Sequence, residues 1–182
     1  MALAADLRLE TNRLILRRPR PQDVDDYLAF CNSVFVLQYN AMSTLDRDGA
    51  LAQFAREDSP WGMFALEHKE TGKMIGMIFT QEDSLRYGVR SAEFSYFLNE
   101  DYANQGYMKE ALGTVIHHLF QAEGLDCVAA RSFAPNTASR RLLLSLGFHQ
   151  DGLIPKCVKG YNDIVFDDTL YSLMREDWTN HM

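Results

Sequence analysis

Residues 93–123 constrain the fold most: a run of alternating apolar residues breaks into a polar turn and then into a long helical repeat. Phe94, Tyr96 and Leu98 alternate with Ser95 and Phe97, as in a strand. Asn104, Gln105 and Gly106 form the turn. The pattern from Tyr107 to Glu123 is helical, with Leu112, Val115, Ile116 and Leu119 at core-facing spacing. Strand, turn and helix in this order place a helix N-terminus at one end of a sheet. Its unpaired N–H groups and partial positive charge suit an anion, typically phosphate. Gly106, without a Cβ, lets the backbone approach a ligand closely. A phosphorylated ligand is therefore expected here, although a single glycine at such a turn can also serve packing alone. The Rossmann and P-loop fingerprints are absent, with neither GxGxxG nor GxxxxGK[ST] in the chain.

The rest of the chain supplies the partners of that unit. Arg13 to Arg17 reads as a short strand. Pro19 and Pro21 break it, and Gln22 to Asn32 reads as a helix with Pro21 and an acidic first turn at its start. A second helix is expected from Leu45 to Glu57, opened by Thr44 or Asp46 and closed before Pro60. Trp61 to Glu67 and Lys73 to Thr80 look like a hairpin turning at His68 to Gly72. After the long helix, stopped by Gly124, Cys127 to Phe133 reads as a strand. Pro135-Asn136 starts a helix from Thr137 to Leu146, ended by Gly147. His149 to Val158 and Phe166 to Met174 close the chain as strands. This order is α+β, with a mixed, largely antiparallel central sheet flanked by helices.

A length of 182 residues, without repeats or low-complexity linkers, suits one domain over 1–182, with an ordered core over about 9–178 and Met1 to Leu7 as a loose lead-in. No apolar run approaches the roughly 18 residues of a membrane span, and the start lacks a secretory signal. Cys31, Cys127 and Cys157 are scattered and form no CxxC, so a reduced, cytoplasmic protein without disulfides is expected. The five histidines include no HExxH, and no metal is expected. A net charge of −7 argues against nucleic acid and mildly favours a cationic partner such as an amine, or serves solubility. Asp25, Asp26, Glu57 and Asp58 could attract such a cation or face solvent. A homodimer is compatible with the sequence, which marks no surface for it.

Three segments, in this order, resemble the GNAT acetyltransferases. The opening Leu9-Glu10-Thr11-Asn12-Arg13-Leu14-Ile15-Leu16-Arg17 is similar to the ribosomal-protein N-terminal acetyltransferase (Rim-type) branch, as is the closing Tyr171-Ser172-Leu173. The glycine turn before the long helix looks like the family's pyrophosphate loop. Asn136-Thr137-Ala138-Ser139-Arg140-Arg141 with Leu146-Gly147-Phe148 looks like its N-x-x-S segment and L-G-F close. The likeness spans about Leu9 to Trp178. The family loop usually reads Q/R-x-x-G-x-G/A. Here Ala103 replaces the first polar residue and Met108 the second small one, and Gln105 is the alternative polar contact.

The resemblance implies an acetyl-CoA-dependent N-acetyltransferase with a splayed strand pair at the CoA site. It implies a pyrophosphate on N–H groups of Asn104, Gln105, Gly106, Tyr107, Met108 and Lys109, and a pantetheine arm paired with the backbone of Phe97 and Leu98. Asn136 would contact that arm or the substrate, or simply cap its helix. Arg141, or Arg140, would reach a CoA phosphate. The acceptor would be a primary amine, on a protein N-terminus or a small molecule, attacking directly in a ternary complex. Glu93, where this branch often carries a glutamate, is the candidate base, with Tyr96 and His149 behind it. Ser139 is the candidate acid for the departing thiolate. The alternative is a non-catalytic acyl-CoA-binding or sensor module on the same fold.

Overall fold

The computed structural model describes residues 7–56 and 61–178. The expected helix stop at Pro60 and the acidic Glu57 and Asp58 lie outside the described residues, as does most of the lead-in. Eight strands form one sheet: β1 (Arg8–Glu10), β2 (Leu14–Arg17), β3 (Met63–His68), β4 (Met74–Glu82), β5 (Ser91–Leu98), β6 (Cys127–Phe133), β7 (His149–Lys159) and β8 (Val165–Met174), in the order β1-β2-β3-β4-β5-β6-β8-β7. Every neighbouring pair is antiparallel except β5 and β6, which run parallel. Six helices accompany it: α1 (Val24–Cys31), α2 (Val34–Leu37), α3 (Arg47–Phe54), α4 (Tyr107–Gln121), α5 (Thr137–Ser145) and α6 (Arg175–Trp178).

The helices divide between the two faces of the sheet because alternate strand residues point to opposite sides. Phe64, Leu66, Ile78, Phe94, Val128 and Leu173 pack with Leu112, Val115, Ile116 and Leu119 of α4 and Leu143 of α5. Met63, Ala65 and Met77 face the other way and pack with Tyr27, Phe30 and Phe54 of α1 and α3. β3 and β4 are covered on both sides, which explains their nearly continuous apolar runs. The start of α1 is tied to the sheet through buried Arg17. Its guanidinium holds Asp23 by two bonds of 2.7 and 2.8 Å and reaches Glu67 at 2.5 Å.

The expected order of elements holds, and among the described residues the structure adds β1, α2 and α6, with short 3-10 turns at Pro21–Asp23 and Glu100–Tyr102. β1 pairs with β2, α2 follows α1 with Ser33 as its cap, and α6 ends the described chain. The helix expected from Leu45 is shorter, Arg47–Phe54, and Asp46 rather than Thr44 opens it by accepting from the Gly49 N–H at 2.8 Å. No helix among the described residues is long and apolar enough to cross a membrane.

Candidate active site

The parallel pair opens before it ends. Residues of β5 and β6 are in register from Ser91–Cys127 to Phe94–Ala130, and the pairing stops there. β5 runs four residues further, to Leu98, and β6 three further, to Phe133; each keeps its outer neighbour, β4 or β8. From Ser95 and Arg131 onward, the facing edges of the two strands have no ladder between them. Phe97 packs on the α1–α3 side, edge-on to Phe79 at 5.5 Å, and Leu98 packs on the α4 side.

At the open end of β5 the chain turns into α4. Asn104 and Gly106 both have positive φ, 58° and 82°. Gly106 is the N-cap, so α4 begins without any side-chain cap among the described residues. Asp46, Ser33 and Asn136 each bond an N–H in the first turn of their helices. The first turn of α4, a 15-residue helix, has no such side-chain cap among the described residues, and its N–H groups are able to hold an anion. Lys109 is exposed beside them, and a groove of about 550 Å³ runs from Gly106 and Lys109 along α4 to His117, Leu146 and Trp178. Met108 points into the core and is 6% exposed, so its bulk lies away from the turn. Tyr107 is likewise buried, and its hydroxyl bonds His68 Nε2 at 3.0 Å. The Gln105 side chain donates to Asp101 O at 2.8 Å and is spent on bracing the loop.

Two candidate residues meet on the α4 side of β5. Tyr96 Oη lies 2.7 Å from Ser139 Oγ, joining β5 to the first turn of α5. Burial pushes the Tyr96 hydroxyl up to about 12 against the opposing bond from Ser139, so it keeps its proton at neutral pH. Asn136 caps α5 by accepting from Ser139 N at 3.1 Å. Arg140 and Arg141 are exposed on that helix.

Glu93 stands on the opposite face of β5. Its Oε1 accepts from Gln81 Nε2 across the β4–β5 pair at 2.8 Å. Burial raises its pKa. The Gln81 bond and the nearby Arg131 charge pull it back, while Asp83 and Asp168 push it further up. Arg131 puts Nε and Nη2 on Asp168 Oδ2, each at 2.7 Å, and Nη2 lies 3.1 Å from Cys157 Sγ. Asp168 is 4% exposed and its Oδ1 has no partner among the described residues. The tip of the β7–β8 hairpin closes this side. Tyr161 N donates to Asn40 O at 2.9 Å, and Tyr39 meets Phe166 edge-on. His149 is not part of this set; it is exposed at the start of β7, 3.8 Å from Asp177.

Sequence reasoning missed Thr11, Arg13, Glu110, Gln81, Arg131 and Asp168. Thr11 and Arg13 lie within the opening segment and Glu110 one turn after Gly106, but no local pattern pairs residues 97 to 99 positions apart. Arg131 and Asp168 could be paired only with the β6–β8 register in hand.

The Acetyltransferase (GNAT) domain model matches residues 13–149. An uncharacterized N-acetyltransferase of Bacillus subtilis (strain 168), YoaA, is 30% identical over 92% of this chain and 96% of its own. The ribosomal-protein-serine acetyltransferase of Escherichia coli (strain K12) is 31% identical over about half of each chain, 55% of this one and 54% of its own. The crystal structure of the ribosomal-protein-S5-alanine acetyltransferase from Vibrio fischeri has the same fold, with a TM-score of 0.81 at 20% identity over 95% of this chain and 99% of that one. With its parted parallel strands and uncapped helix, this chain belongs to the GNAT family of N-acetyltransferases.

Proposed function

We propose that this acetyltransferase moves the acetyl group of acetyl-CoA to a primary amine by direct attack within a ternary complex. The observation that carries the reading is the parting of β5 and β6 after Phe94, on the strand that leads into the uncapped start of α4. One opening then offers a backbone edge for an amide-bearing arm and N–H donors for its pyrophosphate. The relatives named for ribosomal-protein serine and S5 alanine favour a protein N-terminus as acceptor, with a small amine as the other source.

The amine must lose its proton before it can attack the thioester. Glu93 takes that proton, directly or through one water. Its raised pKa brings it closer to the working pH than an ordinary glutamate. N–H groups on the free edge of β5 face the oxyanion as it forms. The Tyr96–Ser139 pair hands a proton to the departing sulfur as the C–S bond breaks, with Tyr96 backing the serine hydroxyl. Glu93 and the hydroxyl pair lie on opposite faces of β5, so the base and the acid reach the reacting carbon, which holds nitrogen and sulfur together in the tetrahedral intermediate, from different sides.

The test is thermal stability with and without acetyl-CoA, followed by CoA release with peptides starting in serine or alanine and with small amines. A ligand bound only by the folded state raises the melting temperature. A rise together with turnover that needs Glu93 and Ser139 supports the reading. A rise with no turnover in wild type identifies a binding module, and no rise rejects the cofactor assignment.

A further inference from the structure

A negative side chain stands where a negative ligand must arrive. Glu110 is in the first turn of α4, four residues after Gly106, and lines the same groove. A carboxylate there suits the helix itself, yet it competes with a phosphate for the same N-terminal field. Thr11 Oγ1 and Arg13 N donate to its Oε1, the second at 2.9 Å, and Arg13 Nε donates to its Oε2 at 2.7 Å. Burial pushes the carboxyl up, but the bonds from Thr11 and Arg13 outweigh it and hold the group below the usual range. Glu110 therefore keeps its charge at neutral pH, and that charge has to be balanced in place.

Arg13 is held in position to balance it. Nη1 donates to Gln105 O at 3.0 Å. The guanidinium lies 4.0 Å above the Tyr107 ring centroid. Nη2 is 3.5 Å from where a Cβ on Gly106 would stand. Tyr107 is in turn fixed by His68, whose Nδ1 lies 3.1 Å from Thr71 Oγ1. A planar guanidinium with several fixed partners keeps one orientation, which a lysine would not.

We infer that Arg13, with Thr11, is a positioning residue of the phosphate turn: it neutralises Glu110 and pins the Gln105–Gly106 peptide, so that the first N–H groups of α4 meet an anion without an opposing charge. The inference rests on the reading that this turn holds the pyrophosphate of acetyl-CoA. It gives a segment more than 90 residues upstream a stated task in cofactor binding and none in acetyl transfer.

Calorimetric titration with acetyl-CoA, and melting-temperature shifts with acetylpantetheine, which lacks the pyrophosphate, test it. Arg13→Met should weaken acetyl-CoA by about tenfold, as loss of one charge-assisted contact does, and leave the acetylpantetheine shift unchanged. Adding Glu110→Gln to Arg13→Met should restore most of the affinity. A double variant as weak as Arg13→Met, or an equal loss for both ligands, overturns the inference. Glu110→Gln alone keeps the test sharp should Arg13→Met fold poorly: affinity should hold or rise, and a fall overturns the inference. Unchanged acetyl-CoA affinity in Gly106→Val would remove the pyrophosphate reading itself.

Discussion

Two glutamates, one at each end of the candidate site, are treated in opposite ways. Glu110, beside the phosphate turn, is met by a hydroxyl, a backbone N–H and a guanidinium. Glu93, on the other face of β5 from Tyr96, has one neutral amide donor and a mixed set of charges around it. The first has its pKa lowered and the second raised. The contrast separates binding from chemistry. On the proposed reading, the cofactor end is electrostatically settled before a ligand arrives, whereas the acceptor end keeps a carboxylate inclined to take a proton.

The comparison breaks most visibly at Gly106. Gly106→Val puts a β-branched residue at φ 82°, so the turn must move. Acetyl-CoA affinity should fall by roughly a hundredfold, which corresponds to about 2–3 kcal/mol of lost contacts, while the free protein stays folded with a melting temperature lowered by a few degrees through the strained backbone. Calorimetry with and without the substitution reads it directly. At the other end, Glu93→Gln should lower kcat by about a hundredfold or more, the usual worth of a general base. Acetyl-CoA affinity should stay the same and the acidic limb of the pH–rate profile should disappear. A profile that keeps its limb assigns the proton to another group.

Smaller effects sharpen the contrast. Ser139→Ala and Tyr96→Phe should each lower kcat roughly tenfold with little change in the KM for acetyl-CoA, and the double variant should lose less than the product, because the two hydroxyls act as one pair. The smallest effect is on stability. The folded pKa of Glu93 is raised, so its contribution is fully present below the ordinary glutamate value and is lost as pH rises through the folded value. Glu93→Gln should therefore melt above wild type at neutral pH, with the gap closing on acidification. Glu110 has the opposite sign: its contribution is present above the ordinary value and lost as pH falls through the lowered folded value. Glu110→Gln should melt below wild type at neutral pH. Shifts on the order of 3 °C are expected, and melting curves from pH 4 to 8 that move the two variants in the same direction would contradict the contrast.

Most of the sheet was legible because its strands announce themselves locally. Phe94, Tyr96 and Leu98 alternate, β3 and β4 carry nearly continuous apolar runs, and Gly124 and Gly147 close helices. β1 and α2, three and four residues long, carry too few periods to be read. The parting of β5 and β6 was expected only from the family likeness, since no residue between Ser91 and Leu98 marks Phe94 as the last one paired. The side-chain clusters were beyond local pattern. Thr11 and Arg13 meet Glu110 across nearly a hundred residues, and Arg131 meets Asp168 through the β6–β8 register. Pairings of this kind depend on the finished topology, so composition and periodicity carry no trace of them.

The unladdered stretch between β5 and β6 has a consequence for how the protein moves. It is a sheet edge inside the molecule, where amide groups of residues 95–98 and 131–133 face one another without joining. Hydrogen exchange should be faster at this seam than in the laddered halves of β5 and β6 and should slow there when acetyl-CoA fills it, while β2, paired on both sides, stays protected throughout. In that sense the sheet has room for one more strand, and on the proposed reading the amide-bearing arm of acetyl-CoA takes that place.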